Sequence, residues 1–447
     1  MNIDFLKAAS AEQPDSDALV WQDQAYSYAW LWNEVDTCVE ALDEQGIEAG
    51  SIVSLEADFS PRSVAMLLAL VIKDCIIVPL TDSVNHKKPR FREIAEVNWI
   101  LKITDEDRWD AEATGVETKH ELLLRVGGQE SPGLILFSSG STGESKAALH
   151  DLAPMLEKFR VLRHSRRAIT FLLFDHIGGF NTLMYNLSNG GCTVTINDRS
   201  ADAVCAAIER HKVELLPTSP TFINLLLVSE AYTKYDLSSL ELVTYGTEPM
   251  PEKTLKRFNE LFPEITLQQT YGLSEVGIMR SKSKASDSLW VKLGGEGFET
   301  RVVDGKLEIK AKSAMLGYLN APSPFTDDGW FITGDVVEVD GEYFRILGRE
   351  SEIINVGGEK VYPAEVEGVL ESMDEVEAAI VRAEPHPITG QIVTAVVNLH
   401  DTTAANDFRK VMRVYCKDKL ERFKIPQKVE IADRSLHGER FKKMRKA

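Results

Sequence analysis

Leu134-Ile135-Leu136-Phe137-Ser138-Ser139-Gly140-Ser141-Thr142-Gly143-Glu144-Ser145-Lys146 joins an apolar run to a loop of small, hydroxylated residues that ends on one lysine. The apolar residues read as a strand, which places the loop at a strand end. Glycines let a backbone approach an anion and aim N–H groups at it, hydroxyls add donors, and the lysine supplies a mobile charge. This is chemistry for holding a polyphosphate. The spacing is not that of the ordinary P-loop, G-x-x-x-x-G-K-[ST], which requires Gly at 145 and Ser or Thr at 147; the chain has Ser145 and Ala147. Taken alone, these residues also suit a solvated connector, so the reading depends on the segments around them.

Upstream, Ser51 to Leu55, Arg62 to Lys73 and Cys75 to Pro79 read as strand, helix, strand. The same alternation recurs over Ala168 to Phe174, Asn181 to Leu187, Cys192 to Ile196, Ala201 to His211 and Val213 to Leu216. Strands alternating with helices imply α/β layers with largely parallel sheets. After about residue 289 the texture changes: Lys306 to Lys310, Val336 to Val339 and Tyr343 to Ile346, with Asp-Gly turns at 304–305 and 340–341, read as antiparallel hairpins. A new α+β pattern begins after Gly348-Arg349-Glu350-Ser351, so we expect a boundary there, dividing the chain into 1–350 and 351–447.

With 44% hydrophobic and 27% charged residues, the 447-residue chain has a globular composition. The longest apolar run, Met66 to Leu80, is broken by Lys73-Asp74 and is too short to span a membrane. The N-terminus has no basic region ahead of an apolar stretch, and the five scattered cysteines form no C-x-x-C pair; both features fit a cytoplasmic protein without a zinc site. A net charge of −19 disfavours nucleic acid and anionic membranes as partners. From Ser351 onward 16 basic residues balance 16 acidic ones, so the whole excess of negative charge lies in the first 350 residues.

Tyr271-Gly272-Leu273-Ser274-Glu275, Thr333-Gly334-Asp335, Gly348-Arg349 and Pro363-Ala364-Glu365-Val366-Glu367, together with the loop at 137–146, resemble the adenylate-forming superfamily of acyl-CoA synthetases, luciferases and peptide-synthetase adenylation domains. The resemblance covers nearly the whole chain and is greatest to a bacterial-type acyl-CoA ligase. It implies a large N-terminal body with two parallel-type α/β sheets and a β-rich subdomain, followed by a small mobile α+β lid. Ser351 stands where the family's hinge carries aspartate or lysine.

The same resemblance implies roles for single residues. Ser138, Ser141, Thr142 and Lys146 bind the leaving phosphates, Gly246-Thr247-Glu248 lines the adenine pocket, and Tyr271 stacks on the base. Ser274 contacts the α-phosphate, Glu275 holds Mg²⁺, and Asp335 binds the ribose hydroxyls with Arg349 beside it. We expect Asp335 to be exposed and therefore to matter little for stability. On the acyl side, His176 borders the pocket, Gly178, Thr182, Gly272 and Met279 line it, and the two glycines leave room for the acid. The family's catalytic lysine falls in Gly438-Glu439-Arg440-Phe441-Lys442-Lys443-Met444. Matching the following residues favours Lys443, which we take as the catalytic lysine; gapless spacing from Val429-Glu430 favours Lys442, which stays open.

The implied function is ATP-dependent conversion of a carboxylic acid to acyl-AMP, followed by transfer to the thiol of coenzyme A, with Gly357-Gly358-Glu359-Lys360 lining the thiol path. A carrier-protein phosphopantetheine is the alternative acceptor, and a regulatory protein that binds nucleotide without turnover is the alternative class. Arg409, Lys410, Arg413, Lys417 and Lys419 form a basic stretch suited to CoA phosphates or an acidic carrier.

Overall fold

A computed structural model describes residues 3–129, 131–138, 144–400, 407–433, 436–438 and 443. Ser141, Thr142 and Lys442 lie outside these residues. The expected α/β architecture is observed: a large N-terminal domain with two seven-stranded sheets and a six-stranded antiparallel sheet, then a small C-terminal domain around a five-stranded sheet.

The first sheet places Leu215–Thr218, Leu242–Tyr245 and Thr266–Gln269 in parallel next to Arg167–Ile169 and Cys192–Val194, with the N-terminal hairpin Asp17–Trp21/Gln24–Ser27 at its edge. The second is built on Ile52–Glu56, Ile76–Leu80 and Trp99–Ile103 in parallel. Gly133–Ser138 joins this sheet beside Ile76–Leu80 and pairs antiparallel with Lys146–Asp151, so the proposed phosphate loop connects two adjacent strands.

Helices Tyr28–Glu44, Pro61–Ile72 and Ile177–Ser188 lie between the two sheets, and one apolar cluster runs through all of them, including Leu19, Leu31, Leu55, Leu67, Leu136 and Leu183. Pro61–Ile72 is apolar on nearly every side because it is covered on every side, as an interior helix must be. Its start is set by Pro61 in the first turn and by a reciprocal Ser60–Ser63 capping box.

The third sheet contains the expected hairpins. Asp304 and Gly305 both have positive φ (51° and 75°), the geometry of a two-residue turn between Phe298–Val303 and Lys306–Ala311. A 3-10 turn, Glu350–Glu352, separates this sheet from the C-terminal one. The C-terminal domain has its own core, Val366, Leu370, Val381, Val393, Phe408 and Met412 among others. It rests on the large domain through Asn224, whose amide donates to the Glu377 carbonyl (3.1 Å), and Lys253, which donates to the Ser372 carbonyl (3.2 Å). No helix among the described residues is long and apolar enough to cross a membrane.

Candidate active site

Three parallel strands end at one level, with Thr218, Tyr245 and Gln269 in register. The C-terminal edge of such a sheet is where α/β folds bind ligands. Gly246-Thr247-Glu248 and Thr270-Tyr271 emerge there. A Cβ on Gly246 would lie 2.7 Å from Thr270 Oγ1 and 2.8 Å from the Thr270 carbonyl, so only glycine lets these two exits run side by side. Thr247 has φ of 75°, a conformation that is costly for a β-branched residue and that concentrates at ligand sites. The Glu248 carboxylate accepts from the backbone N–H (2.9 Å) and hydroxyl of Thr221, which fastens the loop to the first turn of helix Pro220–Ser229.

Asp335 and Arg349 are register partners on neighbouring strands, with Arg349 Nε 3.4 Å from Asp335 Oδ1. The Tyr271 hydroxyl donates to Asp335 Oδ2, and the Asp335 N–H donates to Thr333 Oγ1 (3.0 Å). Asp335 is 6% exposed, which corrects the expectation of a surface carboxylate: period-two alternation sets it on the inward face with Phe331, Thr333 and Val337. Burial pushes its carboxyl above the usual range, against the opposing pull of Arg349 and Tyr271. The Tyr271 hydroxyl is pushed well up, first by burial and then by the Asp335 charge.

A second chain of contacts runs beside the first. The Lys146 ammonium sits 5.2 Å from the centre of the Tyr318 ring, and the Tyr318 hydroxyl donates to Glu275 Oε1 (2.7 Å). Glu275 occupies the turn between the short strands Gly272–Leu273 and Gly277–Ile278, and its backbone carbonyl accepts from Met315 N–H (2.7 Å). Its Oε2 accepts no hydrogen bond among the described residues, so a carboxylate oxygen is available for a hard cation. Asn320 accepts from the Ala147 N–H (2.9 Å) and donates to the Ser145 carbonyl (2.9 Å), pinning the chain where the phosphate loop rejoins the sheet. Ser138 pairs with Lys146 across the base of that loop.

Ser274 is held by a residue that the sequence reading overlooked. His150, fully buried, donates from Nε2 to the Ser274 carbonyl (2.6 Å). Burial pushes its imidazole down to about 4, so it stays neutral. It lies four residues after Lys146 on one strand and therefore on the same face, a spacing that could have identified it. Tyr318 and Asn320 were missed as well.

The acyl-side residues separate into two groups. Thr182 and Met279 line a cavity of about 1390 Å³ between helix Ile177–Ser188 and the first sheet. His176, Gly178 and Gly272 serve local structure. His176 caps that helix, its Nδ1 accepting from the Gly178 N–H (3.0 Å). The space that a Gly272 side chain would take is filled by Ile278 Cδ1 (2.4 Å) and the Gly277 carbonyl (2.8 Å), and at Gly178 by Leu172 Cδ1 (2.4 Å). These glycines permit close packing; they do not leave open volume for an acid.

In the C-terminal domain, Lys443 Nζ donates to Glu371 Oε1 (2.7 Å) and Glu367 Oε2 (3.3 Å), both buried on helix Pro363–Leu370 or just beyond it. Its backbone N–H donates to Glu248 Oε2 (3.4 Å), which brings the chain beside the Gly246–Glu248 loop. Thus Lys443 reaches the nucleotide edge, but its ammonium is engaged by two carboxylates. Gly357 and Gly358 form the tight tip of the hairpin Ile354–Val356/Glu359–Val361. Arg409, Lys410 and Arg413 are exposed on helix Phe408–Cys416, with Lys417 and Lys419 just past its end.

A buried carboxylate, a facing tyrosine and arginine, and a loop-flanking lysine thus stand together at the edge of a parallel sheet. The AMP-binding enzyme family matches residues 83–312, and the AMP-binding enzyme C-terminal domain matches residues 365–442. The chain belongs to this family. It is 27% identical to indoleacetate–CoA ligase of Aromatoleum aromaticum, across 94% of this chain and 92% of that protein. Feruloyl-CoA synthase of Amycolatopsis sp is 27% identical across 67% of this chain and 66% of that protein. Among solved structures, anthranilate CoA ligase AuaEII in complex with anthranoyl-AMP superposes with a TM-score of 0.83 at 20% identity, covering 99% of this chain and 95% of that one. ATP-bound MatB from Rhodopseudomonas palustris gives a TM-score of 0.81 at 23% identity, covering 98% and 97%.

Proposed function

We propose that this protein is an AMP-forming acid–thiol ligase that activates a carboxylic acid with ATP and passes the acyl group to coenzyme A. The observation that carries the reading is the buried Tyr271–Asp335 pair, with the exposed Arg349 against Asp335, facing the Lys146–Tyr318–Glu275 chain across the end of the sheet. Asp335 accepts the ribose hydroxyls, Tyr271 packs on the base between its strand exit and the Gly246–Glu248 loop, and Ser274 meets the α-phosphate. Lys146, with Ser138, Ser141 and Thr142, carries the β- and γ-phosphates. Glu275 has the oxygen to hold Mg²⁺, which when bound neutralises phosphate charge.

An acid carboxylate oxygen attacks the α-phosphorus, the bond to the bridging oxygen breaks, and pyrophosphate leaves. The CoA thiol then attacks the acyl carbonyl, loses its proton and displaces AMP. Two anions meet in the first step, so the chain must place positive charge at the reacting oxygens. Because Lys443 is committed to Glu367 and Glu371, we assign that role to Lys442. We place the domain boundary at 350–351 and the protein in the cytoplasm, where its five buried free thiols stay reduced. A phosphopantetheine-bearing carrier protein presents the same thiol chemistry and remains the second acceptor to test.

The test is incubation with ATP, Mg²⁺ and a panel of carboxylic acids, reading pyrophosphate, then addition of CoA or a holo-carrier and detection of the thioester by mass. Nucleotide binding without pyrophosphate from any acid would favour the non-turnover alternative and sink the ligase reading.

A further inference from the structure

The cavity beside the proposed adenylation site is cationic in a chain whose net charge is −19. Eight lysines and arginines line it against two acids, Glu157 and Glu296. Arg160, Arg166 and Lys292 are paired, with Glu157, Glu241 and Glu342 respectively. Lys158, Arg163, Arg280, Lys282 and Lys312 form no ion pair among the described residues.

Lys158 is the most informative of these. It precedes the buried Phe159, which fixes its stem, and its ammonium donates to Asn181 Oδ1 (2.6 Å) and to the Ile278 carbonyl (3.0 Å). Asn181 lies on the helix that carries Thr182, and Ile278 on the return strand of the turn bearing Glu275, so Lys158 bridges the two walls of the cavity. An ammonium has three donors, and the two used here meet neutral oxygens. Burial, with Arg163 nearby, pushes its pKa down to about 7. Arg163 is itself pushed down by burial and by the charge of Arg280, with the two guanidinium groups sharing one side of the cavity. A part-buried ammonium beside two exposed guanidinium groups, with no counter-ion among the described residues, is electrostatically unfavourable, and a protein built for neutral acyl chains has no reason to gather such charges.

Resting on the ligase reading above, we infer that the substrate is a carboxylic acid with a second anionic group, a carboxylate, at the end remote from the reacting one, held by Lys158 with Arg163 and Arg280. The reacting carboxylate lies toward Thr270, which adjoins Tyr271, while the second enters the cationic side of the cavity. The volume, about 1390 Å³, exceeds the roughly 300–1,000 Å³ of most ligand pockets and accommodates an acid with two polar ends. Lys158 then acts as a specificity-determining residue, discriminating by the charge-assisted hydrogen bonds that a monoacid cannot make.

The test compares acids that differ only at the far end: octanoate with suberate, and 3-phenylpropanoate with 3-(4-carboxyphenyl)propanoate. Pyrophosphate release should favour each diacid by about 10- to 100-fold in kcat/KM. Lys158→Met should raise KM for the diacids, leave KM for ATP unchanged and remove the preference, and Lys158→Arg should restore part of it. Preference for the monoacids in the unaltered protein, or equal loss for both members of a pair in Lys158→Met, would overturn the assignment. A thermal-shift titration with the same acids reads binding without turnover. A shift with diacids alone, lost in Lys158→Met, supports the anion site even if no pyrophosphate forms, and in that event it is the ligase reading that fails. No shift with either diacid overturns the site whatever the turnover result.

Discussion

Asp335 illustrates how one side chain can serve both binding and architecture. Asp335→Asn keeps the volume and an acceptor for Tyr271 while removing the charge that meets Arg349 and the ribose. ATP affinity should fall by about tenfold or more, since hydrogen bonds to a charged group contribute about 1.5–3 kcal/mol, with a small loss in Tm. An unchanged dissociation constant for ATP would take Asp335 out of the nucleotide site. The two terminal lysines divide in the same way. Lys443→Ala leaves Glu367 and Glu371 buried without their cation, a loss of about 3–5 kcal/mol, so its signature should be thermal. Lys442→Ala should slow pyrophosphate release by about 10²–10³, the range for losing one preorganised transition-state donor, with Tm unchanged. The reverse pattern would return the adenylation role to Lys443.

Strand Lys146–Asp151 carries a pH dependence. His150 titrates near 6.5 when unfolded and near 4 when folded, so between those values the unfolded chain binds the extra proton. Stability attributable to this residue is complete above pH 6.5 and is lost as pH falls toward 4, by up to about 3 kcal/mol. His150→Gln should flatten that part of the Tm–pH curve; an unaltered slope would mean that other groups set it. Helix Phe408–Cys416 offers a second element-scale test. Replacing Arg409, Arg413 and Lys417 together with Gln should raise KM for CoA and weaken its salt dependence while leaving pyrophosphate release unchanged. Equal use of CoA and pantetheine by the unaltered protein would remove any need for this face. Elements of this kind were readable from the sequence: strand Ile52–Glu56, helix Pro61–Ile72 and strand Ile76–Leu80 fall within about a residue of their expected bounds because each is a largely apolar run, covered on folding, and the polar Lys73-Asp74 pair and the Ser60-Pro61 start mark where the helix ends and begins. The motif residues around Asp335 and Glu275 were readable as well, being local. Lys158 with Asn181 and Tyr318 with Glu275 were not, because each pair joins separate elements and has no spacing to betray it; for His150 only its same-face spacing from Lys146 was available, its partner Ser274 lying on another element.

At the scale of the whole molecule, the proposed nucleotide edge is assembled from distant parts of the chain: Lys146, Gly246, Tyr271, Asp335 and, by way of Glu248, Lys443. Lys443, which makes the last of these contacts, also pairs with Glu367 and Glu371 inside the small domain. Glu367 and Glu371 also have backbone roles in the C-terminal core, accepting from the Val381 and Ala379 N–H groups. Two neighbouring buried carboxylates repel each other, and the Lys443 ammonium is the charge that reconciles them. Removal of residues 439–447 should therefore lower the Tm of the C-terminal domain, and Glu367→Gln with Glu371→Gln in the shortened chain should recover much of the loss; no recovery would mean that packing, not charge, is what was missing. The ion pair thus sets the internal charge balance of the small domain: without the Lys443 ammonium its interior holds two carboxylates at odds with each other.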